Sequence, residues 1–252
     1  PLDVIAPFPP DALDAEVRPG VDALKGVRYF GLGGQLGGTV VLGDGNRNNA
    51  WLATVSHNLR GIDILALAGV LRQREMLGAG LAGSLGGLGL KGEISVYDGK
   101  DVGLAGGDRK NRFAIGAAEG WYRFDSGLVL IAEYLYNGAG ADEPADYPQV
   151  AASAPFVEGL SFLLGRHYLL LGPSWEAHPL ATLNALVISN LTDGSFLLRP
   201  LIDISLADNF ELQLFWSFTG GKKPAQTLSL SVPRSEFGSV GDSGGVFLKY
   251  FF

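Results

Sequence analysis

The feature that most constrains this chain is a two-residue rhythm, repeated in segments of about ten residues, the length that crosses a bilayer as a tilted strand. In FELQLFWSF, residues 210–218, Phe210, Leu212, Leu214, Trp216 and Phe218 fall on one face and Glu211, Gln213, Phe215 and Ser217 on the other. Successive side chains of a strand point to opposite faces, so this parity predicts a β-strand and not a helix. FLLRPLIDISL (196–206) sets Leu198, Pro200, Ile202, Ile204 and Leu206 against Leu197, Arg199, Leu201, Asp203 and Ser205. LKGEISVY (90–97) sets Lys91, Glu93, Ser95 and Tyr97 against Leu90, Gly92, Ile94 and Val96, and in LVLIAEYLY (128–136) Glu133 opposes Leu128, Leu130, Ala132, Tyr134 and Tyr136.

The connections separate these strands into an up-and-down meander. Short turns recur at ADN (207–209), EAHP (176–179), DSG (125–127), Gly86–Gly87 and NLRG (58–61). Long connections, 219–244, 137 to about 160 and 98–111, recur on the opposite side. The expected fold is therefore all-β, with one smooth end and one ragged end. Residues 1–20 read as an N-terminal extension or loop, and 21–252 as a single transmembrane β-barrel domain.

Composition narrows the setting. The chain has 252 residues, 37 of them Gly and none Cys, yet no stretch supplies the roughly 20 consecutive apolar residues of a spanning helix. A net charge of −7 without clusters of Lys and Arg argues against a nucleic-acid partner. Without Cys there is neither a disulfide framework nor a thiolate metal site, which suits an oxidising compartment. The opening PLDVIAPFPPD lacks the basic region and apolar run of a secretory signal, so either a signal has been removed or the sequence starts partway along a precursor.

A water-soluble meander barrel buries its apolar face inside. Here aromatic residues gather toward strand ends on the apolar face: Tyr134 and Tyr136, Trp216 and Phe218, then Tyr250 and Phe252. Rings at the headgroup level form the two girdles of a membrane barrel. The chain ends in VFLKYFF, with Val246, Leu248, Tyr250 and Phe252 on one face and Lys249 on the other. This ending resembles the terminal strand of Gram-negative outer-membrane β-barrels. That resemblance implies a bacterial outer-membrane location, contact with outer-membrane lipids, and recognition of Val246, Leu248, Tyr250 and Phe252 by the barrel-assembly machinery. RPGVDAL (18–24), AEYLYNG (132–138) and SLADNFELQL (205–214) resemble, more weakly, the later part of alginate-export-type porins.

Strand number has two readings. Residues 21–43 form either two strands around GLGG, giving about 13 in all, or one long strand over 27–42, giving about 12 and a closed barrel. Single-chain bacterial barrels use even numbers, so the first reading makes the chain the C-terminal part of a larger barrel.

Several motifs tempt other readings. GDSGG (241–245), with His57, matches the string around a serine-protease nucleophile, but such a triad needs a base within hydrogen-bond reach and an oxyanion hole. GAGLAG (78–83) and GLGLKG (87–92) match dinucleotide-binding strings, yet the second runs into a strand where that site requires a helix. A lipase-type site would use His167 or His178 with a Ser, and neither shares a face with one. Asp142, Glu143 and Asp146 could hold a divalent cation through oxygen ligands, although acidic runs of this kind are ordinarily solvated loops. NLT (190–192) matches a glycosylation acceptor that an outer-membrane setting makes irrelevant.

Lys91, Glu93, Glu119, Arg123, Glu133, Arg199, Asp203, Glu211, Gln213 and Lys249 all fall opposite the apolar face and are the candidate pore-lining residues. An Arg or Lys on the lipid face would cost roughly 2–4 kcal/mol near the midplane. Both signs occur, so strong ion selectivity is not expected. Ile115, Leu201, Phe215 and Phe251 share the inward parity and make the lumen partly dry. The function expected is porin-like passage or export of small polar or polymeric solutes, with no catalytic residue and no cofactor. The alternatives are a non-conducting barrel that anchors or sleeves a partner protein or joins further barrel strands, and a membrane-embedded hydrolase.

Overall fold

The alternating segments form strands joined by turns whose backbone matches their twist. A computed structural model describes residues 2–5, 9–10, 21–43, 48–227 and 230–251. The strands are β1 (Asp22–Phe30), β2 (Gly34–Leu42), β3 (Ala50–Leu59), β4 (Ile62–Leu71), β5 (Arg74–Leu85), β6 (Leu88–Asp98), β7 (Arg112–Arg123), β8 (Val129–Asn137), β9 (His167–His178), β10 (Ala181–Asn190), β11 (Ser195–Ala207), β12 (Phe210–Gly220), β13 (Ala225–Thr227), β14 (Leu230–Val232) and β15 (Ser243–Tyr250). Two short helices, α1 (Tyr147–Ala151) and α2 (Ala154–Val157), lie in the longest connection. β1–β12 and β15 make one antiparallel sheet of 13 strands in chain order, while β13 and β14 pair only with each other.

The region 21–43 is two strands, β1 and β2, in register from Asp22 opposite Leu42 to Phe30 opposite Gly34. The single-strand reading of 27–42 fails because Gly31, at φ +58°, turns the chain back. Two-residue hairpins of matching twist need positive φ at both central positions, and Gly86 (φ +57°) with Gly87 (φ +85°) supplies them between β5 and β6. GAGLAG and GLGLKG therefore lie in a β-hairpin, with no helix after either.

The chain divides into two compact units: Pro1–Ala118 with Tyr136–Gly140 and Gln149–Leu164, and Glu119–Leu135 with Ala141–Pro148 and Gly165–Phe252. In the first unit the strands have a bare face and a covered face. Trp51, Val55, Ile64, Leu77, Leu81, Leu90 and Ile94 stand exposed on the bare face, Leu77 at 63 %. Val41, Ala50, Leu52, Leu67, Leu71 and Met76 alternate with them and are buried on the covered face, where Tyr97 also stacks on Phe113 at 5.1 Å between ring centroids. Residues 2–5 lie against this face: Leu2 reaches Gly78 and Gly80, and Val4 is buried.

The second unit repeats the division. Leu183, Phe196, Leu198, Ile202, Trp216, Phe218, Val246, Leu248 and Tyr250 stand exposed on its bare face. Tyr168, Ile188, Asn190, Ser195, Leu197, Arg199, Gln213 and Ser217 are buried on the other. Charges on the bare face keep to strand ends, as Glu75 and the Asp98–Arg112 pair do.

Backbone approach sets where side chains are tolerated. A Cβ on Gly69 would sit 1.9 Å from the Trp51 carbonyl oxygen, whereas one on Gly26 would meet nothing within 4 Å. Gly69→Ala should therefore destabilise by about 1–3 kcal/mol, the usual cost of forced overpacking, and Gly26→Ala should stay within about 0.5 kcal/mol of the parent. Urea midpoints of the two variants in detergent check this; equal midpoints would contradict the strand spacing described.

Candidate functional site

The covered face carries the charged and amide side chains of the strand middles. In the first unit, strand alternation brings Lys91 and Glu93 to the same side of β6, where Nζ and Oε1 lie 2.8 Å apart. The Lys91 side chain remains 44 % exposed, so the pair is solvated and not locked in a core. It borders a cleft of about 310 Å³ whose wall includes Gln35, Ser56, Asp63, Gly80 and Ala82.

In the second unit, polar side chains link neighbouring strands. Asp203 accepts hydrogen bonds from Asn184 Nδ2 at 2.9 Å and Gln213 Nε2 at 2.8 Å, joining β10, β11 and β12. Arg199 Nε donates to Ser217 Oγ at 2.6 Å, and its guanidinium lies 5.7 Å from the Phe215 ring centre. Phe215 in turn stacks on Phe247, 5.8 Å between centroids. Glu211 is the register partner of Lys249, opposite charges on adjacent strands. Glu119, Arg123 and Glu133 belong to the same face by alternation along β7 and β8. The arrangement is a field of paired charges, able to orient a polar solute without strongly preferring one ionic sign.

The long connections do not stand away from the sheet. In the first unit, Arg74 at the start of β5 has a fully buried guanidinium. Its Nε and Nη2 donate to Asp108 at 2.8 and 2.6 Å, and Nη1 donates to Glu158. Lys100 Nζ reaches the other Glu158 oxygen at 2.7 Å. Arg72, which with Gln73 turns the chain at positive φ, also donates to the Glu158 carbonyl. Charged residues of three connections thus meet in one ionic latch, in which a bidentate guanidinium–carboxylate pair sets the geometry.

The second unit is closed by hydroxyls, amides and carboxylates. Tyr147 Oη donates to Asp193 Oδ2 at 2.7 Å, and Asn190 Nδ2 donates to Tyr147 Oη at 3.0 Å and to Glu236 Oε2 at 2.7 Å. Tyr168 donates to the same Glu236 oxygen, and the Glu236 amide donates to Asp193 at 2.8 Å. Burial first, then the Asp193 carboxylate and Glu236, raises the Tyr147 hydroxyl far above the ordinary phenol range. It therefore remains a proton donor at every ordinary pH and holds α1 to the turn after β10. The tyrosines and acids of this network share no sequence motif, and no local signal in the sequence marks them.

The tempting motifs resolve as structure. Ser243 opens β15 opposite Ser217 and lies in a strand, not in the loop expected of it. His167 Nδ1 lies 2.6 Å from Tyr134 Oη, and His178 Nδ1 accepts from the Leu180 amide at 3.1 Å within its turn. Asp142 pairs with Arg166, and among the described residues no three acidic, His or Cys side chains gather as a metal site would require. Val246, Leu248 and Tyr250 are exposed on the bare face of β15, with Tyr250 packed on Phe210 at 4.8 Å; Phe252 lies outside the described residues. No protein-family model matches the chain, and no curated protein matches it either.

Removing one member of a buried ion pair strands its partner. Asp108→Asn should cost about 3–5 kcal/mol, while Asp98→Asn, which breaks only the exposed pair with Arg112, should leave the urea midpoint unchanged. Similar midpoints for both variants would contradict the latch.

Proposed function

We propose that this chain is a bacterial outer-membrane β-barrel that passes small polar solutes along its charged, covered face. The observation that carries this reading is the division of each unit's strands into a bare apolar face and a covered face onto which the charged and amide side chains of the strand middles alternate, Lys91 and Glu93 in the first unit and Arg199, Asp203, Glu211, Gln213 and Lys249 in the second. Water is a poor solvent for the first and a good one for the second. Lipid against the bare face and water against the other satisfy both.

The remaining features fit this assignment. Backbone groups at a sheet edge are costly in hydrocarbon, so on this reading the edges at β1 and β15 must each find a strand partner. In the second unit, Tyr134, Phe196, Trp216 and Phe218 lie near the ends of their strands that adjoin the longer connections, and Trp175, Phe210 and Tyr250 lie near the opposite ends. Phe210 and Phe218 are separated by roughly 27 Å along β12 at about 3.4 Å per residue, a span suited to an apolar belt flanked by aromatic girdles. The exposed side chains Val246, Leu248 and Tyr250 of β15 present the apolar, aromatic face that the barrel-assembly machinery would read.

The ionic and hydroxyl networks at the long connections narrow the passage. A non-conducting barrel serving as a sleeve for a partner is the second reading, and the complete burial of the Arg74–Asp108 pair favours it over a wide pore. Reproducible small openings in a planar bilayer containing the purified protein are the expected result; silence from a folded, heat-modifiable barrel would overturn the channel reading in favour of the sleeve.

The facing assignment has its own test. Leu212 opposes Leu248 on the bare face and Glu211 opposes Lys249 on the other. Leu214, midway between Phe210 and Phe218, opposes Val246 on the same bare face, so Leu214→Arg should lower stability in lipid by roughly 2–4 kcal/mol, whereas Glu211→Leu should assemble normally. Equal losses in folding yield into liposomes would contradict the assignment.

A further inference from the structure

We infer that residues 2–5 are a displaceable stopper seated on the charged face of the first unit, an autoinhibitory contact within the passage. This rests on the reading of that face as the conducting path.

The seat is shaped for the segment. A Cβ on Gly78 would lie 2.7 Å from Leu2 Cδ2, and one on Gly80 would lie 2.8 Å from Leu2 Cδ1. Both positions alternate onto the covered face of β5, so a side chain at either would occupy the space that Leu2 fills. The Leu2 amide points to Glu93 Oε2 at 3.4 Å, beside the Lys91–Glu93 pair and the cleft they border. Val4 is 4 % exposed. Ile5 then lines a cavity of about 540 Å³ together with Val41, Ala50, Leu71, Arg72 and Glu158.

The segment thus runs from the middle of β5 and β6 to the latch end of the same unit. At that end Ile5 faces the apolar side chains of Val41, Ala50 and Leu71 across the cavity. The described contacts of the segment are those of a short surface piece and not of a strand: a branched side chain in a glycine seat, a long hydrogen bond and a buried valine among them. Such a contact can open without the sheet unfolding. Displacing it frees Glu93 Oε2 from the Leu2 amide and widens the route past the Lys91–Glu93 pair.

Two readouts test this. The chain has no Cys, so Val4→Cys introduces a single thiol. A hydrophilic maleimide should label it at least about tenfold more slowly in the folded protein than in urea, as a locally protected site requires. Equal rates would overturn the seat whatever the conductance. The double variant Leu2→Asp/Val4→Asp, checked for folding by heat modifiability, should show larger or longer openings than its parent in a planar bilayer. Unchanged openings would overturn the stopper and leave the channel reading standing. Silence from both proteins, folded, would overturn the channel reading and the stopper with it.

Discussion

The rest of the structure depends on one constraint: the strands of each unit present a continuous apolar face that nothing in the described chain covers. Exposed Leu, Ile, Val and aromatic residues at alternate positions are costly in water, and on this face they recur strand after strand. A soluble protein of this size would fold a second layer over such a face. Here the loops, the two short helices and residues 2–5 go to the opposite side. On the proposed reading hydrocarbon covers the bare face, in keeping with the position of its charges at strand ends.

The covered face obeys a different rule. With a hydrophobic exterior fixed, its stability comes from pairing charges and satisfying buried polar groups, since an unpaired one is expensive. The middle of the face meets this requirement loosely, with Lys91–Glu93 solvated and Asp203 shared between two amides. The ends near the long connections meet it tightly, through Arg74 with Asp108 and Glu158, and through Tyr147, Tyr168 and Asn190 with Asp193 and Glu236. In each unit the polar groups are thus held more tightly near the long connections than along the middle of the strands.

Alternation was the legible part of the sequence because side-chain parity in a strand is local. It placed Lys91, Glu93, Arg199, Asp203, Glu211, Gln213 and Lys249 on one face, and the register of β10, β11, β12 and β15 agrees. It also offered two strands or one over 21–43, and the turn at Gly31 decides for two. The pairings themselves were not legible. Asp108 and Glu158 lie 34 and 84 residues from Arg74, and Glu236 lies 68 from Tyr168, distances at which no local pattern operates. Nor was the seat of residues 2–5 legible: nothing local to PLDVI marks Gly78 and Gly80 as the place where Leu2 lies.

Depth-dependent quenching of tryptophan by brominated lipids tests the central claim, that the bare face meets hydrocarbon. The four tryptophans divide by face: Trp51, Trp175 and Trp216 alternate onto the bare face, and Trp121 shares the parity of Phe113 and Ile115 on the other. In single-tryptophan variants reconstituted into liposomes, the first three should be quenched by brominated acyl chains and Trp121 should not. Equal quenching at all four positions, or none at Trp216, would contradict the account.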